Sequence, residues 1–385
     1  MEKKTVAVLD FGSGKLLGFV AEANPDGSAV LLKARAENPY DGFYDGEWLD
    51  KQNAKEIIVK TLKQLENQAG RSVGKIYAGV PGEFSVTAVR KAEVKFNSPH
   101  KINSRDISGL FDSADNFQST PGYKPISASS AYFVLDGSKK TVNPLGMLAT
   151  SAFAAVSFSF ADKKFCSFVE GIVKKFGIGK VEFISNCLSQ ALYLFTEAER
   201  ERPCVLVDVG YVTTSVSVIL GDGLLYSRSF SMGSGHITDD LSQVLEIDYD
   251  AADELRKKVN LNLDFSEEDT YSSGGASVSA IKGNEIVAAR IEDIAERIVT
   301  CLDESRAELC ADTLIYLSGG GFFGVQGGVK CLQKFLGRRI MQAPFVVPEF
   351  DKAGYNSGYG LLAAAIKQEA KSRGFLARLL GLKTR

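Results

Sequence analysis

The hydrophobic positions of this chain fall into short runs and helical stripes, and one arrangement of them occurs twice. In VAVLDFGSGKLLGFV, residues 6–20, an apolar run reaches Asp10, breaks at Gly12 and Gly14, and resumes as a second apolar run. In CVLVDVGYVTTSVSV, residues 204–218, the run 205–207 reaches Asp208, breaks at Gly210, and returns as a β-branched stretch over 212–218. Each pattern predicts a buried strand, a tight turn and a returning strand. Taken alone, either hairpin is a solvent-facing turn in which Asp and Gly serve turn geometry. Occurring twice with matching carboxylates, they predict a duplicated domain whose halves face each other across a cleft.

The remaining periodicity fills in that frame. Residues 53–69 place Ile57, Ile58, Thr61, Leu62 and Leu65 on one helical face, with Asn53 as the cap, and a strand follows at 75–81. Hairpin, helix and strand in that order fit a ribonuclease-H-like half. Residues 84–160 interrupt it with alternating stretches around a polar helical segment, which predicts an inserted α+β subdomain. The parent pattern resumes with an amphipathic helix at 162–177, the strand VEFIS and a further helix. After the second hairpin comes a strand at 224–230, and then SMGSGHITDDL, where Gly233 and Gly235 make either a loop lining the cleft or a glycine-rich helix start. Residues 249–260 read as a helix with Asp253 and Arg256 on one face, and 264–285 are turn-rich. A long helix at 285–306 carries Ile286, Ile291, Ile294, Ile298 and Leu302 on its inner stripe. The strand beginning at 313 ends in Gly319, Gly320 and Gly321 before a helix. The expected division is 1–83 with 161–185 and 355–370 for the first half, and 84–160 for the insertion. The second half takes 186–235 with 300–354, an outer subdomain 236–299, and a terminal helix 371–385.

Chemistry follows from the turns. A polyphosphate approached by main-chain N–H groups needs glycine, because no Cβ blocks the approach. Gly12, Gly14 and Gly210 supply that, Ser13, Thr213 and Thr214 offer hydroxyls, and Lys15 adds a point charge. Asp10 and Asp208 stand at strand ends where they can hold a hydrated Mg²⁺, which keeps several of its waters. Bare backbone at Gly319, Gly320 and Gly321 lets an adenosine lie close. The chain of 385 residues is long enough for two or more domains, and its net charge of −2 does not favour nucleic acid as a partner. No run of about 18 apolar residues spans a bilayer, and the N-terminus runs into a strand without a signal-like apolar region. The six cysteines are scattered without a C-x-x-C pair, most in apolar surroundings, and read as reduced, buried thiols of a cytoplasmic protein. Only two histidines, His100 and His236, are present, which excludes a histidine metal cluster and leaves few bases for catalysis. No catalytic residue is assigned.

The C-terminal stretch KSRGFLARLLGLKTR, residues 371–385, has five basic residues and no acidic one. Phe375, Leu376, Leu379 and Leu380 share one helical face and Arg378 lies off it, a pattern suited to the surface of an anionic membrane. The alternative is a terminal helix docked on its own core.

Together these pieces resemble the actin, Hsp70 and sugar-kinase superfamily, and within it the FtsA family of bacterial cell-division proteins. The resemblance rests on LDFGSGK and CVLVDVGYVTTSVSV as phosphate loops, VGKIYAGVPG before the insertion, NPLGM within it, SMGSGHITDDL, AADELRKKV as a nucleotide-flanking helix, and SGGG as an adenosine loop. The position of the insertion is its most specific mark. It implies an actin-like fold binding ATP and Mg²⁺, with Gly235, Asp253 and Arg256 among the nucleotide contacts. It also implies self-assembly into filaments, tethering of FtsZ filaments to the cytoplasmic face of the membrane through the terminal helix, and other division proteins as partners. The sequence departs from the family where Tyr211 and Val212 replace two glycines, where Ser215 replaces an aspartate, and where Ser185 and Asn186 replace an acidic-proline helix start. Asp253 and Arg256 stand where Glu and Lys are typical. These departures imply weak or absent hydrolysis. The alternatives are an actin-like adaptor of pilus assembly, or an ATPase or kinase of the same fold; a sugar kinase needs a catalytic Asp in a substrate-facing loop, and none is found.

Overall fold

The computed structural model describes residues 3–379, apart from 25, 28, 116–120, 323 and 345–352. The chain begins with strands β1 (Lys4–Phe11), β2 (Lys15–Ala23), β3 (Val30–Pro39) and the short β4 (Phe43–Tyr44) and β5 (Glu47–Trp48), then helix α1 (Lys51–Ala69) and β6 (Lys75–Val80). Next come β7 (Ser85–Lys101), α2 (Ser104–Ala114), β8 (Tyr123–Leu135), β9 (Lys139–Thr141) and β10 (Leu148–Asp162). They lead to α3 (Lys163–Phe176), β11 (Lys180–Ser185) and α4 (Asn186–Leu194). The second half of the chain holds β12 (Cys204–Val209), β13 (Thr214–Leu220), β14 (Gly223–Phe230), α5 (Ser234–Leu245), α6 (Tyr249–Lys258), β15 (Thr270–Ser273) and β16 (Ala276–Ser279). It ends with α7 (Ala280–Glu304), β17 (Ile315–Ser318), α8 (Gly328–Leu336), β18 (Met341–Gln342) and α9 (Asn356–Leu379).

The chain divides into two compact units, one of residues 1–202, 219–226 and 355–385, the other of 203–218 and 227–354. The first unit is built on a five-stranded sheet of order β11-β6-β1-β2-β3, in which β1, β2 and β3 are an antiparallel meander and β6 and β11 join in parallel. The sheet's core gathers Leu9, Phe11, Leu16, Ile58, Leu62, Leu65, Phe165 and Val169. Trp48 stacks on Phe165 at 5.6 Å, sealing one end of that core with an aromatic cluster. Also in this unit, the segment between β6 and α3 forms its own sheet, β7-β10-β8-β9, whose one face packs with α2 through Leu110, Ala114, Phe133, Phe158 and Phe160. The second unit repeats the strand order of the first as β14-β13-β12-β17-β18.

Several boundaries differ from expectation for local physical reasons. Helix α1 starts at Lys51 because Asp50 caps it, accepting from the backbone N–H groups of Gln52 and Asn53, while the Asn53 side chain accepts from the Asp41 N–H instead. Helix α7 begins at Ala280, capped by Ser279, and its buried stripe runs through Val287 where Ile286 was expected. The glycines after β17 do not start a helix; α8 begins only at Gly328. Helix α4 packs on α9 in the first unit, so the segment 186–202, expected in the second half, falls with the first. The expected terminal helix is not separate: α9 runs unbroken from Asn356 to Leu379. Of Phe375, Leu376, Arg378 and Leu379 only the helical backbone is described, and Leu380 lies outside the described residues. Among the described residues no helix is long and apolar enough to cross a membrane.

Candidate functional site

The turn after β1 closes through the Gly12 N–H donating to the Lys15 carbonyl at 3.0 Å. It is braced from behind by the 40–42 segment: the Tyr40 hydroxyl donates to the Gly12 carbonyl at 2.7 Å and the Tyr40 N–H to that of Gly14 at 3.3 Å. Gly42 has φ +76°, and a Cβ there would lie 1.9 Å from the Ser13 carbonyl oxygen, so only glycine lets this brace close. Burial, with the charge of Asp10 adding to it, holds the Tyr40 hydroxyl protonated far above its ordinary range. Lys15 does not stand as a free point charge: its ammonium donates to Glu37 at 2.9 Å and sits 4.9 Å over the Tyr355 ring. The Tyr355 hydroxyl donates to the same Glu37 carboxylate, and burial followed by that bond pushes it up to about 12.

Asp10 lies at the end of β1, only 3% exposed. Its Oδ1 accepts from the Asn186 amide at 2.7 Å and from the Ser357 hydroxyl at 3.1 Å. Asn186 opens α4 and Ser357 lies in the first turn of α9, so the carboxylate sits at the positive ends of two helices.

In the second unit the turn after β12 closes through the Gly210 N–H donating to the Thr213 carbonyl at 2.8 Å. Two glycine segments pack against it. A Cβ on Gly319, whose φ is +86°, would lie 2.2 Å from the Val209 carbonyl oxygen and 2.3 Å from Asp208 Oδ1. The Gly321 N–H donates to the Val209 carbonyl at 2.9 Å, and Gly320 alone of the three faces open space. On the other side, the Ser234 and Gly235 N–H groups donate to the carbonyls of Gly210 and Tyr211 at 3.1 and 2.7 Å. SMGSGHITDDL is thus a helix start, with His236 Nδ1 accepting from the Gly233 N–H. The first N–H groups of α5 are spent on the turn itself.

Further expected contacts are committed to the protein. Thr214 donates its hydroxyl to the Met232 carbonyl at 2.7 Å. Arg256, 8% exposed, pairs with Asp253 at 2.7 Å and donates to the Thr238 hydroxyl at 3.1 Å. Burial raises the Asp253 carboxyl, but Lys257 and Arg256 outweigh it and hold it below its ordinary value. Tyr211 bonds its hydroxyl to that of Tyr249 at the start of α6.

Within the first unit the structure therefore brings together Asp10, Gly12, Ser13, Gly14 and Lys15. Within the second it brings together Asp208, Gly210, Thr213, Thr214, Gly235 and Gly319 to Gly321, with Asp253 and Arg256 joined to α5 through Thr238. Sequence reasoning missed Glu37, Tyr40, Gly42 and Ser357; the Tyr40-Asp41-Gly42 turn signal was the one local hint. Among the described residues no group of three or more His, Cys, Asp or Glu is placed to hold a metal, and the Asp10 oxygen that faces Asn186 already accepts two donors. The carboxylates fit a hydrated ion carried in by phosphates better than a protein-built ligand set.

The second unit's turn and glycine loop fall inside residues 205–360, which match the family model of cell division protein FtsA. Over a longer stretch the chain is 24% identical to the cell division protein FtsA of Streptococcus pneumoniae, covering 86% of this chain and 74% of that protein. Over this region and beyond it, the chain is similar to proteins of the FtsA family. FtsA of Pseudomonas aeruginosa is 20% identical, with 66% of this chain and 60% of its own length covered; FtsA of Enterococcus faecalis is 24% identical, with 77% and 69% covered. Among solved structures, a chain of the PilM-PilN type IV pilus biogenesis complex aligns with TM-score 0.63 at 15% identity, covering 94% of this chain and 98% of that one. MreB5 of Spiroplasma citri bound to ADP aligns with TM-score 0.56 at 12% identity, covering 96% and 98%. The fold is actin-like.

Proposed function

We propose that this chain is an ATP-binding, actin-like adaptor of cell division. It assembles with itself at the cytoplasmic face of the membrane at the division site and tethers FtsZ-like filaments there, with other division proteins as partners. The observation that carries this reading is the FtsA match over 205–360, extended by FtsA relatives over most of the chain. Asp10, Gly12, Ser13, Gly14 and Lys15 of the first unit, and Asp208, Gly210, Thr213, Gly235 and Gly319 to Gly321 of the second, are the nucleotide contacts in this reading. Mg²⁺ arrives with the phosphates. Asp253 and Arg256 serve by holding α6 to α5 near the adenosine loop. The insertion, residues 84–160, supplies polymer contacts, and residues 371–385 bind anionic lipid through Phe375, Leu376, Leu379 and Leu380, with Arg378 at the headgroups. One short helix binds weakly, so assembly strengthens attachment by presenting many at once.

The test is co-sedimentation of the full chain, and of a version ending at residue 370, with anionic vesicles, with and without ATP. Pelleting of the full chain alone, increased by ATP, is the expected result. If neither version pellets, the membrane tether is lost from the reading. The likeness to a PilM-PilN chain supports a second reading, an adaptor of pilus assembly. Co-sedimentation with FtsZ filaments separates the two, since only the division reading expects it.

A further inference from the structure

Three elements distant in sequence meet at one buried carboxylate. Asp10 is the next-to-last residue of β1, just before the first phosphate turn, Asn186 opens α4, and Ser357 lies in the first turn of α9, with both side chains donating to the same Asp10 oxygen at 2.7 and 3.1 Å. Glycines at this junction let backbone and side chains pack closely. A Cβ on Gly360 of α9 would lie 2.7 Å from Gln190 Cα and 2.8 Å from the Ser189 carbonyl oxygen of α4. A Cβ on Gly79 of β6 would lie 2.0 Å from Asn186 Oδ1, and one on Gly358 would lie 2.6 Å from the Phe19 ring and 3.4 Å from Asp10 Oδ2. Such contacts leave no slack: a change in the direction or charge balance of the Asp10 carboxylate must be taken up by the first turns of α4 and α9. Asn186 Oδ1, pressed on Gly79 and without a hydrogen-bond partner among the described residues, cannot swing to release the amide without opening that seat.

We propose that Asn186 and Ser357 are positioning residues for Asp10, and that through them α9 reports whether the first phosphate turn is occupied. The inference rests on the nucleotide reading above. A polyphosphate with its cation draws on the Asp10 charge; the two donors then share the carboxylate with it, and the first turn of α9 tightens or loosens accordingly. Helix α9 continues without a break from this junction to Leu379, so the signal has a rigid path toward the C-terminal residues.

The experiment uses the full chain and a ribose-labelled fluorescent ATP analogue for affinity, with amide hydrogen exchange across residues 356–369 read with and without saturating ATP and Mg²⁺. In the natural protein, ATP is expected to change exchange in the first two turns of α9 by at least about fivefold. In Ser357→Ala the analogue still binds, weakened by no more than about tenfold, and the ATP-dependent change in α9 disappears. Ser357→Thr, which keeps the hydroxyl, restores it. A merely structural serine predicts a different outcome, with exchange faster in Ser357→Ala at all times and the response to ATP intact; that result overturns the proposal. So does tight binding by the natural protein with no change in α9, which leaves the nucleotide reading standing. Absence of any analogue binding, in a protein whose circular dichroism is that of a folded α/β chain, overturns the nucleotide reading and the relay with it.

Discussion

Glycine at position 319 is demanded twice over. Its φ of +86° is a conformation L side chains avoid, and the space where a Cβ would go is filled by the Val209 carbonyl oxygen at 2.2 Å and Asp208 Oδ1 at 2.3 Å. Neither neighbour is the free end of a flexible side chain, since Val209 is backbone and Asp208 is anchored at the end of β12. Gly319→Ala is therefore expected to destabilise the second unit by about 1–3 kcal/mol. Gly320, one residue on, meets none of the described residues within 4 Å, and Gly320→Ala is expected to leave stability within about 0.5 kcal/mol of the natural value. Urea midpoints of the two variants, measured side by side, test the contrast. Equal midpoints would mean that the loop rearranges freely, and the close approach of Gly319 to Asp208 would then have no energetic weight.

At the scale of elements, α9 is held to the sheet of its own unit by an ionic knot. Glu369 accepts from Lys4 at 2.8 Å, and from Lys75 and Tyr77 at 2.7 Å each. Burial alone would raise this carboxyl, but those three donors outweigh it and hold it at about 2 against an ordinary 4.5. A carboxyl depressed on folding contributes stability that is present above its ordinary value and drains away as pH falls from there through about 2. Glu369→Gln is expected to cost about 1.5–3 kcal/mol at neutral pH. Its melting temperature should approach that of the natural protein as pH drops from 5 toward 3; a gap of constant width would show that the charge of Glu369 does not matter. None of this was legible in the sequence, because Lys4, Lys75 and Tyr77 stand far from residue 369 along the chain and share no period with it. What was legible was local: the apolar face of α1, the amphipathic run of α3 between Asp162 and Gly177, and the two strand-turn-strand patterns. The α1 cap went to Asp50, not Asn53, because a cap depends on which oxygen reaches the free N–H groups, and both residue types qualify by identity. The same limit hid the braces of the first turn. Gly42 looks like any turn glycine until the Ser13 carbonyl is found where its Cβ would be.

At the scale of the whole molecule, one strand order has been used twice with different chemistry at its turns. The sheets β3-β2-β1-β6-β11 and β14-β13-β12-β17-β18 correspond strand for strand, and each delivers an aspartate at the end of its central strand. The hydrophobic pattern of each strand specifies that frame, whereas the turns carry different residues. The first turn carries Gly12 and Gly14 beside Lys15, and the second carries Tyr211 and Val212 after its single Gly210. Hydrolysis makes a demand that binding does not: a group must orient a water for attack on the terminal phosphate. An amide has no useful basicity, and Asn186, which opens α4, has its nitrogen committed to Asp10 and its oxygen pressed against Gly79. The expected balance is retention of nucleotide with slow turnover, at most about 0.01 s⁻¹, some thousandfold below a median enzyme. Phosphate release measured under saturating ATP and Mg²⁺, on protein first shown to bind a fluorescent ATP analogue, gives the answer. A steady rate near 1 s⁻¹ would sink the adaptor reading in favour of an ATPase, because a protein that spends ATP so quickly cannot use the bound nucleotide to hold an assembled state.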